Sequence, residues 1–547
     1  MELVEETLDN QKLRGGYYTP NSIATFLSKW AISQNTLRVL EPSCGDGNFV
    51  EAAIHRFNEL GITGDDLKGR IKGIELIEIE ALKAKQRAKQ LGLNSTTIVN
   101  SDFFQYLKAS EGELYDVVLG NPPFIRYQNF PEEHRQLAIS MMEALGLRPN
   151  KLTNIWVPFL VISSSLLKAN GKLGMVIPAE LFQVKYAAET RIFLSNFFSR
   201  ITIITFKKLV FEDIQQEVVL LLCEKDVTTN IGIRVVELNS LKELHELDLH
   251  KIQSVKAKVI EHDSEKWTKY FLEDSEIQFL RKVKNDPRIK LAKEFIDVNV
   301  GLVTGRNEFF MLNEESVKKW NLKAYTKRVV SRSNHFKGII FNEADFTANA
   351  EANIEGYLFL PPDEDFDLLP KVCRDYIKYG EEQEYHLGYK CKIRKRWYIT
   401  PSLYSPAGFA LRQVGDYPKI IINKTAASST DTIHRMRLKA DVQPEIIALS
   451  FLNSLSFAFS EITGRSYGGG VLTFEPTEIG EIPLPLFDKI DIDIQKIDTL
   501  IRMKKIDQVL DIIDEELLIK QLKFAREEVQ VFRSIWKKLS GRRQNRK

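Results

Sequence analysis

Cysteine is scarce in this chain, with four in 547 residues, at positions 44, 223, 373 and 391. Thiols so few and so far apart argue against a disulfide framework and against a cysteine-based zinc site, and no metal is expected. Charge of one sign is lacking as well: 76 basic side chains face 74 acidic ones, a net of +2, which does not single out a polyanion binder. No long uncharged apolar run and no secretory signal can be read, so the expectation is a soluble, unexported protein of a bacterial or archaeal cytoplasm, with no membrane partner. What is present is length and apolar material. With 44% apolar residues the chain can build large cores, and its length implies two or more domains.

The first half alternates strand and helix patterns. Residues 14–20, Arg-Gly-Gly-Tyr-Tyr-Thr-Pro, form a glycine-rich turn before a helix, with Thr19 as N-cap, Pro20 at the first helical position and Ile23, Phe26, Leu27 and Trp30 on its apolar face. Residues 37–41 read as a strand. The loop Pro42-Ser43-Cys44-Gly45-Asp46-Gly47 and a helix from about 49 follow it. Strand, glycine loop and helix make the first half of a nucleotide-binding unit. Gly45 and Gly47 permit close approach of a ligand, while Glu41 and Asp46 make the loop acidic, which disfavours phosphate and favours a cationic or hydroxyl-rich ligand. A second strand ends at Glu75, where a carboxylate commonly takes ribose hydroxyls, and a third leads to Ser101-Asp102-Phe103. Asp102 has the chemistry to accept from an adenine amino group, with Phe103 against the ring. The plainer alternatives are a helix cap and a core side chain.

A fourth apolar strand ends in Gly120, followed by Asn121-Pro122-Pro123-Phe124. Two prolines fix φ and remove two backbone donors, so an amide, free carbonyls and an aromatic ring are held at the carboxyl end of a strand. That is where open α/β sheets bind ligands. Strands at 172–177, 201–206 and 216–223 and intervening helices complete a mostly parallel sheet, with the last strand placed to return antiparallel.

This ordered set resembles the γ-class DNA adenine-N6 methyltransferases of type II restriction–modification systems, the TaqI and BseCI type, over roughly residues 11–225. The resemblance implies a Rossmann-like S-adenosylmethionine-dependent methyltransferase sheet. It implies cofactor contacts at Tyr18, Thr19, Glu41, Pro42, Ser43, Gly45, Gly47, Glu75, Asp102, Phe103 and Asn121. It also implies a catalytic motif at Asn121, Pro122, Pro123 and Phe124, and a second target-base aromatic at Phe211. The family most often has Tyr at the fourth catalytic position, and Phe124 offers no hydroxyl. The implied reaction moves a methyl group to N6 of a flipped adenine in double-stranded DNA. Alternatives are a cytosine-N4 DNA methyltransferase, an RNA or protein-glutamine methyltransferase, or an inactive specificity subunit.

The second half supplies what a small-substrate enzyme would not need. Two basic stretches without an acid, 321–342 and 387–415, lie beyond the segment 301–310, which resembles one common in recognition regions of these enzymes. Arg394, Lys395, Arg396, Trp397 and Arg465 are the candidate DNA contacts, since cations with aromatics suit phosphates and bases. The expected organisation is a catalytic domain over 1–230, a connector over 231–290, a recognition domain over 291–486 and a helical segment with a basic, disordered tail over 487–547. The expected state is a monomer that works beside a separate cognate restriction endonuclease.

Overall fold

The computed structural model describes residues 18–545, apart from 94–96, 111, 127–128, 151–152, 209, 211–216, 261–264, 401–402, 440, 468 and 488. The glycines and Tyr17 of the first turn, and Phe211, lie outside the described residues. The chain divides into two compact units, one reaching Asp274 and the other spanning Ser275–Gln544.

The first unit is built on one sheet. Its strands are β1 (Val39–Glu41), β2 (Ile71–Glu75), β3 (Ile98–Asn100), β4 (Tyr115–Gly120), β5 (Leu167–Pro178), β6 (Arg200–Phe206), β7 (Val218–Glu224) and β8 (Gly232–Leu238). Their order is β3-β2-β1-β4-β5-β7-β6-β8. β3, β2, β1, β4 and β5 pair parallel, and β7 runs antiparallel between β5 and β6, as the sequence pattern anticipates. The central strands are buried along nearly their whole length, which explains why they read as apolar runs and not as alternation.

Helices α1 (Asn21–Ala31), α2 (Asn48–Glu59), α3 (Glu78–Gln90), α4 (Phe103–Ala109), α5 (Glu132–Ala144), α6 (Trp156–Ser165) and α7 (Ala188–Phe197) connect and flank the strands. Ile23, Phe26, Leu27 and Trp30 of α1 pack into the core with Val39, Phe57 and Leu119. The cap of α1 differs from expectation. Pro20 itself is the N-cap, its carbonyl accepting from Ile23 and Ala24 at 2.9 and 3.3 Å, and no side chain caps the helix. Extended backbone at Pro20 (ψ 136°) places it before the helix, one position earlier than a first-turn proline.

Two sequence boundaries shift. The sheet does not end at residue 224: Gly232–Leu238 adds β8, parallel to β6 over seven pairs, so the segment read as connector begins inside the sheet. The charged Arg234 and Glu237 within it hid the strand, although Arg234 is buried. The chain's basic end is not a disordered tail through the described residues either. Arg526–Gln544 is one helix, and Arg543 is only 2% exposed.

The second unit carries smaller sheets of four, five and three strands, the five-stranded one including Ile296–Asn299, Gly408–Leu411, Ile420–Asn423 and Ile433–Leu438. Further helices are α8 (Pro444–Phe451), α9 (Ser454–Thr463), α10 (Ile494–Arg502), α11 (Ile506–Ile513) and α12 (Arg526–Gln544). Among the described residues no single helix is long and apolar enough to cross a membrane. The apolar pair α8 and α9 bends by 77° at its break, where Asn453 caps α9 by accepting from Ser456. Its side chains are largely core.

Candidate active site

The strand order decides the site. β3, β2, β1 and β4 are consecutive neighbours and parallel, so their carboxyl ends lie side by side. Asp102, Glu75, Glu41 and Asn121 each stand at or just beyond one of those ends. The chain reverses its order across the sheet between β1 and β4, which is the switch point at which open sheets take ligands.

The glycine loop after β1 is tied to the neighbouring strand. Cys44 N donates to Ile74 O at 2.9 Å, and Gly45 N donates to the Glu75 carboxylate at 2.8 Å. Gly45 and Gly47 both have positive φ, +52° and +94°. At Gly45 a Cβ would meet nothing within 4 Å, so there the glycine keeps space open over the backbone. At Gly47 it would lie 3.1 Å from the Ala84 Cα, so there the glycine lets α3 pack close. Cys44 is buried among carboxylates and its thiol is held far above the ordinary range, which makes it inert packing.

Three carboxylates converge here. Glu41 is 3% exposed, and its Oε2 has no hydrogen-bond partner among the described residues. Burial, then the charges of Asp46 and Glu75, push its carboxyl well above the usual range. Burial also raises Glu75, against the pull of the Ile77 and Gly45 N–H groups, both at 2.8 Å. Asp46 is raised by burial too, although Arg87 reaches it at 2.8 Å. A buried carboxylate oxygen without a donor is costly unless a ligand supplies one.

Tyr18 and Thr19 border this region from the N-terminal side. The Tyr18 hydroxyl donates to Glu80 at 3.1 Å, and the Thr19 carbonyl accepts from Asn48 Nδ2 at 3.1 Å. Arg87 bridges Asp46, Asn48 and Glu51, which makes it a hub of the loop. Sequence reading passes over Arg87 and Glu80, because each looks like an ordinary solvated position on α3.

The corner beyond β3 combines the functional and the plain alternatives. Asp102 does cap α4, its Oδ1 accepting from Gln105 N at 3.0 Å. Its other oxygen faces His134 Nδ1 at 3.4 Å. Phe103 is 2% exposed and stacks on Phe159 with centroids 5.2 Å apart, so it is core in this conformation.

Beyond β4 the motif lies against the glycine loop. The Ser43 hydroxyl donates to the Asn121 main-chain oxygen at 3.5 Å, and a Cβ on Gly120 would fall 3.5 Å from Pro42. Pro122 is buried, whereas Asn121, Pro123 and Phe124 are half-buried, and Phe124 packs partly on the sheet core. The arrangement can therefore present one amide, one proline carbonyl and one ring to a ligand beside the acidic loop.

In the second unit the basic stretches find partners that the linear sequence hides. Arg396 pairs with Asp363 and Asp365, each at 2.7 Å. Arg394 donates to Val303 O at 2.9 Å and lies over the Phe310 ring. Trp397 packs on Phe309 and donates to Glu381 at 3.1 Å, and Arg465 pairs with Glu478 at 2.9 Å. Lys395 alone of the five is exposed with no ion-pair partner among the described residues.

Family models match both units. The Eco57I restriction-modification methylase model covers residues 32–211, and the C-terminal domain model of the type II methyltransferase M.Eco57I covers 264–518. The chain belongs to the type II restriction–modification DNA methyltransferases. Among similar proteins, the type II methyltransferase M.AccI of Acinetobacter calcoaceticus is 23% identical over 516 residues, covering 88% of each chain. M.XamI of Xanthomonas campestris pv. amaranthicola is 21% identical over 87% of this methyltransferase and 86% of its own length. The fold is shared with the type IIL restriction–modification enzyme MmeI, solved in complex with DNA, at a TM-score of 0.59 and 14% identity over 95% of this chain and 75% of that one.

Proposed function

We propose that this DNA methyltransferase transfers a methyl group from S-adenosylmethionine to the exocyclic N6 of an adenine flipped out of a specific double-stranded site, and so protects that site from a cognate endonuclease. The observation that carries the reading is the junction of the Asn121–Phe124 motif with the acidic glycine loop, at the carboxyl ends of β4 and β1. A methyl donor in one and a nucleobase in the other would be adjacent.

The residues suit the donor. Open space over Gly45 admits a ligand to the backbone, and the unpartnered Glu41 Oε2 asks for a donor such as an ammonium or hydroxyl group. The cluster of Glu41, Asp46 and Glu75 favours a cation over a phosphate. Glu75 would take the ribose hydroxyls, Asp102 the adenine amino group, and Tyr18, Thr19, Pro42, Ser43 and Gly47 would close the surround. When bound, S-adenosylmethionine supplies a methyl group activated on a sulfonium sulfur.

The chain's own residues do the rest. An adenine N6 lone pair is delocalised into the ring. The Asn121 side-chain oxygen and the Pro122 carbonyl would accept its two hydrogens, localise the lone pair and aim it at the donor. Enzymes acting on base atoms take the base out of the stack. Phe124 would replace the lost stacking with its ring, worth about 1–3 kcal/mol per base. Asn at the first motif position favours adenine, while Phe124 leaves cytosine-N4 as an outcome for experiment to separate. Recognition is assigned to the second unit, with Lys395 and the neighbouring Arg394, Arg396, Trp397 and Arg465 among its contacts.

The deciding experiment methylates unmodified plasmid with the purified protein and S-adenosylmethionine, followed by modification-sensitive sequencing. N6-methyladenine at one short sequence is expected. N4-methylcytosine, or no DNA methylation at all, would overturn the assignment.

A further inference from the structure

Resting on that reading of the donor corner, we infer that His134 is a positioning residue. It orients the Asp102 carboxylate that receives the donor's adenine amino group. Asp102 is nearly buried, at 4% exposure, and its Oδ1 is already committed to Gln105 N at the start of α4. The helix cap needs nothing more from this side chain. Yet His134 Nδ1 stands 3.4 Å from Oδ2, and this buried nitrogen has no hydrogen-bond partner among the described residues. Each carboxylate oxygen has two lone pairs, so Oδ2 can take the imidazole N–H and still accept from a ligand.

The imidazole is braced. It sits in the first turn of α5 with the Phe130 ring 6.0 Å away. Phe130 meets Phe104 edge-on at 6.3 Å, and Phe104 adjoins Phe103 at 5.3 Å. The carboxylate is thus held on one side by a backbone N–H and faced on the other by a packed ring. Burial raises the Asp102 carboxyl, and the Gln105 N–H and then the His134 side chain oppose it. Glu133, on the same helix turn, acts in the opposite sense.

The test is calorimetric. The dissociation constants of S-adenosylmethionine and of its 6-oxo inosyl analogue, which lacks the amino group, are measured for the wild type, His134→Ala, His134→Asn and Asp102→Asn. Melting temperatures and steady-state kinetics run alongside. His134→Ala is expected to weaken S-adenosylmethionine by about tenfold with little effect on the analogue, because the lost contact acts through the amino acceptor. KM for the donor should rise while kcat stays within about twofold, and His134→Asn, which keeps an N–H near Nδ1, should restore most of the affinity. Adding His134→Ala to Asp102→Asn should cost little more, since both act on one contact. Equal losses for the two ligands, or additive losses in the double variant, would overturn the inference and make His134 a packing residue. An Asp102→Asn variant with unchanged affinity would instead overturn the donor-corner assignment beneath it.

Discussion

In the proposed reaction the Asn121 side chain serves the target base. Asn121→Ala should abolish methyl transfer, with kcat down by at least about a thousandfold, as befits loss of a transition-state contact. Its calorimetric affinity for S-adenosylmethionine should stay within a few-fold, and near-normal turnover would remove Asn121 from the chemistry. Phe124 is half-buried and touches the sheet core, so it has both a stacking and a packing use. Phe124→Tyr should keep activity, since the ring face is unchanged. Phe124→Ala should lose activity by more than its melting temperature explains, with a weakened fluorescence rise from a 2-aminopurine target. Glu41 gives a pH prediction. Its folded carboxyl titrates well above the ordinary carboxylate range because of burial, so ionising it opposes folding. The cost is absent below the unfolded carboxylate value and grows as pH rises through the folded one. Glu41→Gln should therefore melt higher than the wild type without donor, by a margin that widens as pH rises above the ordinary carboxylate range. It should also bind donor more weakly. A margin that shrinks with rising pH would refute this account of Glu41.

At the level of elements, the C-terminal helix α12 is a structural part of its unit. Arg543 and Glu461 form a pair each 2% exposed, and the guanidinium also donates to the carbonyls of Gly415 and Gly470. That fixes the Gly469–Gly470 turn, in which both residues have positive φ. Arg543→Ala strands a buried carboxylate and two carbonyls, a loss of about 3–5 kcal/mol for breaking one side of such a pair. A large drop in melting temperature is expected, and little recovery in Arg543→Lys, whose single ammonium cannot span all three acceptors. A wild-type melt in Arg543→Ala would return the basic end to the role of a loose tail. Arg396 teaches the same lesson in reverse: its stretch carries no acid in sequence, but Asp363 and Asp365 come to it in space. Exposed pairs of this kind contribute little to stability, so Arg396 remains free to exchange those partners for phosphates.

On the scale of the whole molecule, the division near residue 274 separates the unit carrying the methylase-domain match from one matching the M.Eco57I C-terminal domain. A fragment ending after Asp274 keeps β8 and the complete sheet, whereas one ending at 230 would strip an edge strand and expose the flank of β6. The longer fragment should bind S-adenosylmethionine near full-length affinity and fail to methylate its DNA site, with the loss restored only in the intact chain. Site-specific methylation by the fragment would move recognition into the first unit.

What the sequence by itself determined was local. Apolar runs ending in glycine or proline marked β1 and β4, and a run ending in an acid marked β2. The loop from Pro42 to Gly47 and the turn from Asn121 to Phe124 carried their own stiffness and chemistry, because φ restrictions and side-chain donors belong to the residues themselves. The alternation of elements implied parallel strands, and the antiparallel β7 followed from the tail of that pattern. Tertiary structure alone decided which ends are neighbours, and hence that Glu41, Glu75, Asp102 and Asn121 share one edge. It also decided that Asp102 serves a helix and a histidine at once, and that Arg543 is core. Those outcomes depend on groups 32 and 82 residues apart meeting across the fold. A charge in sequence says what a side chain can do. Only the packing around it says which partner it meets and how much water it keeps.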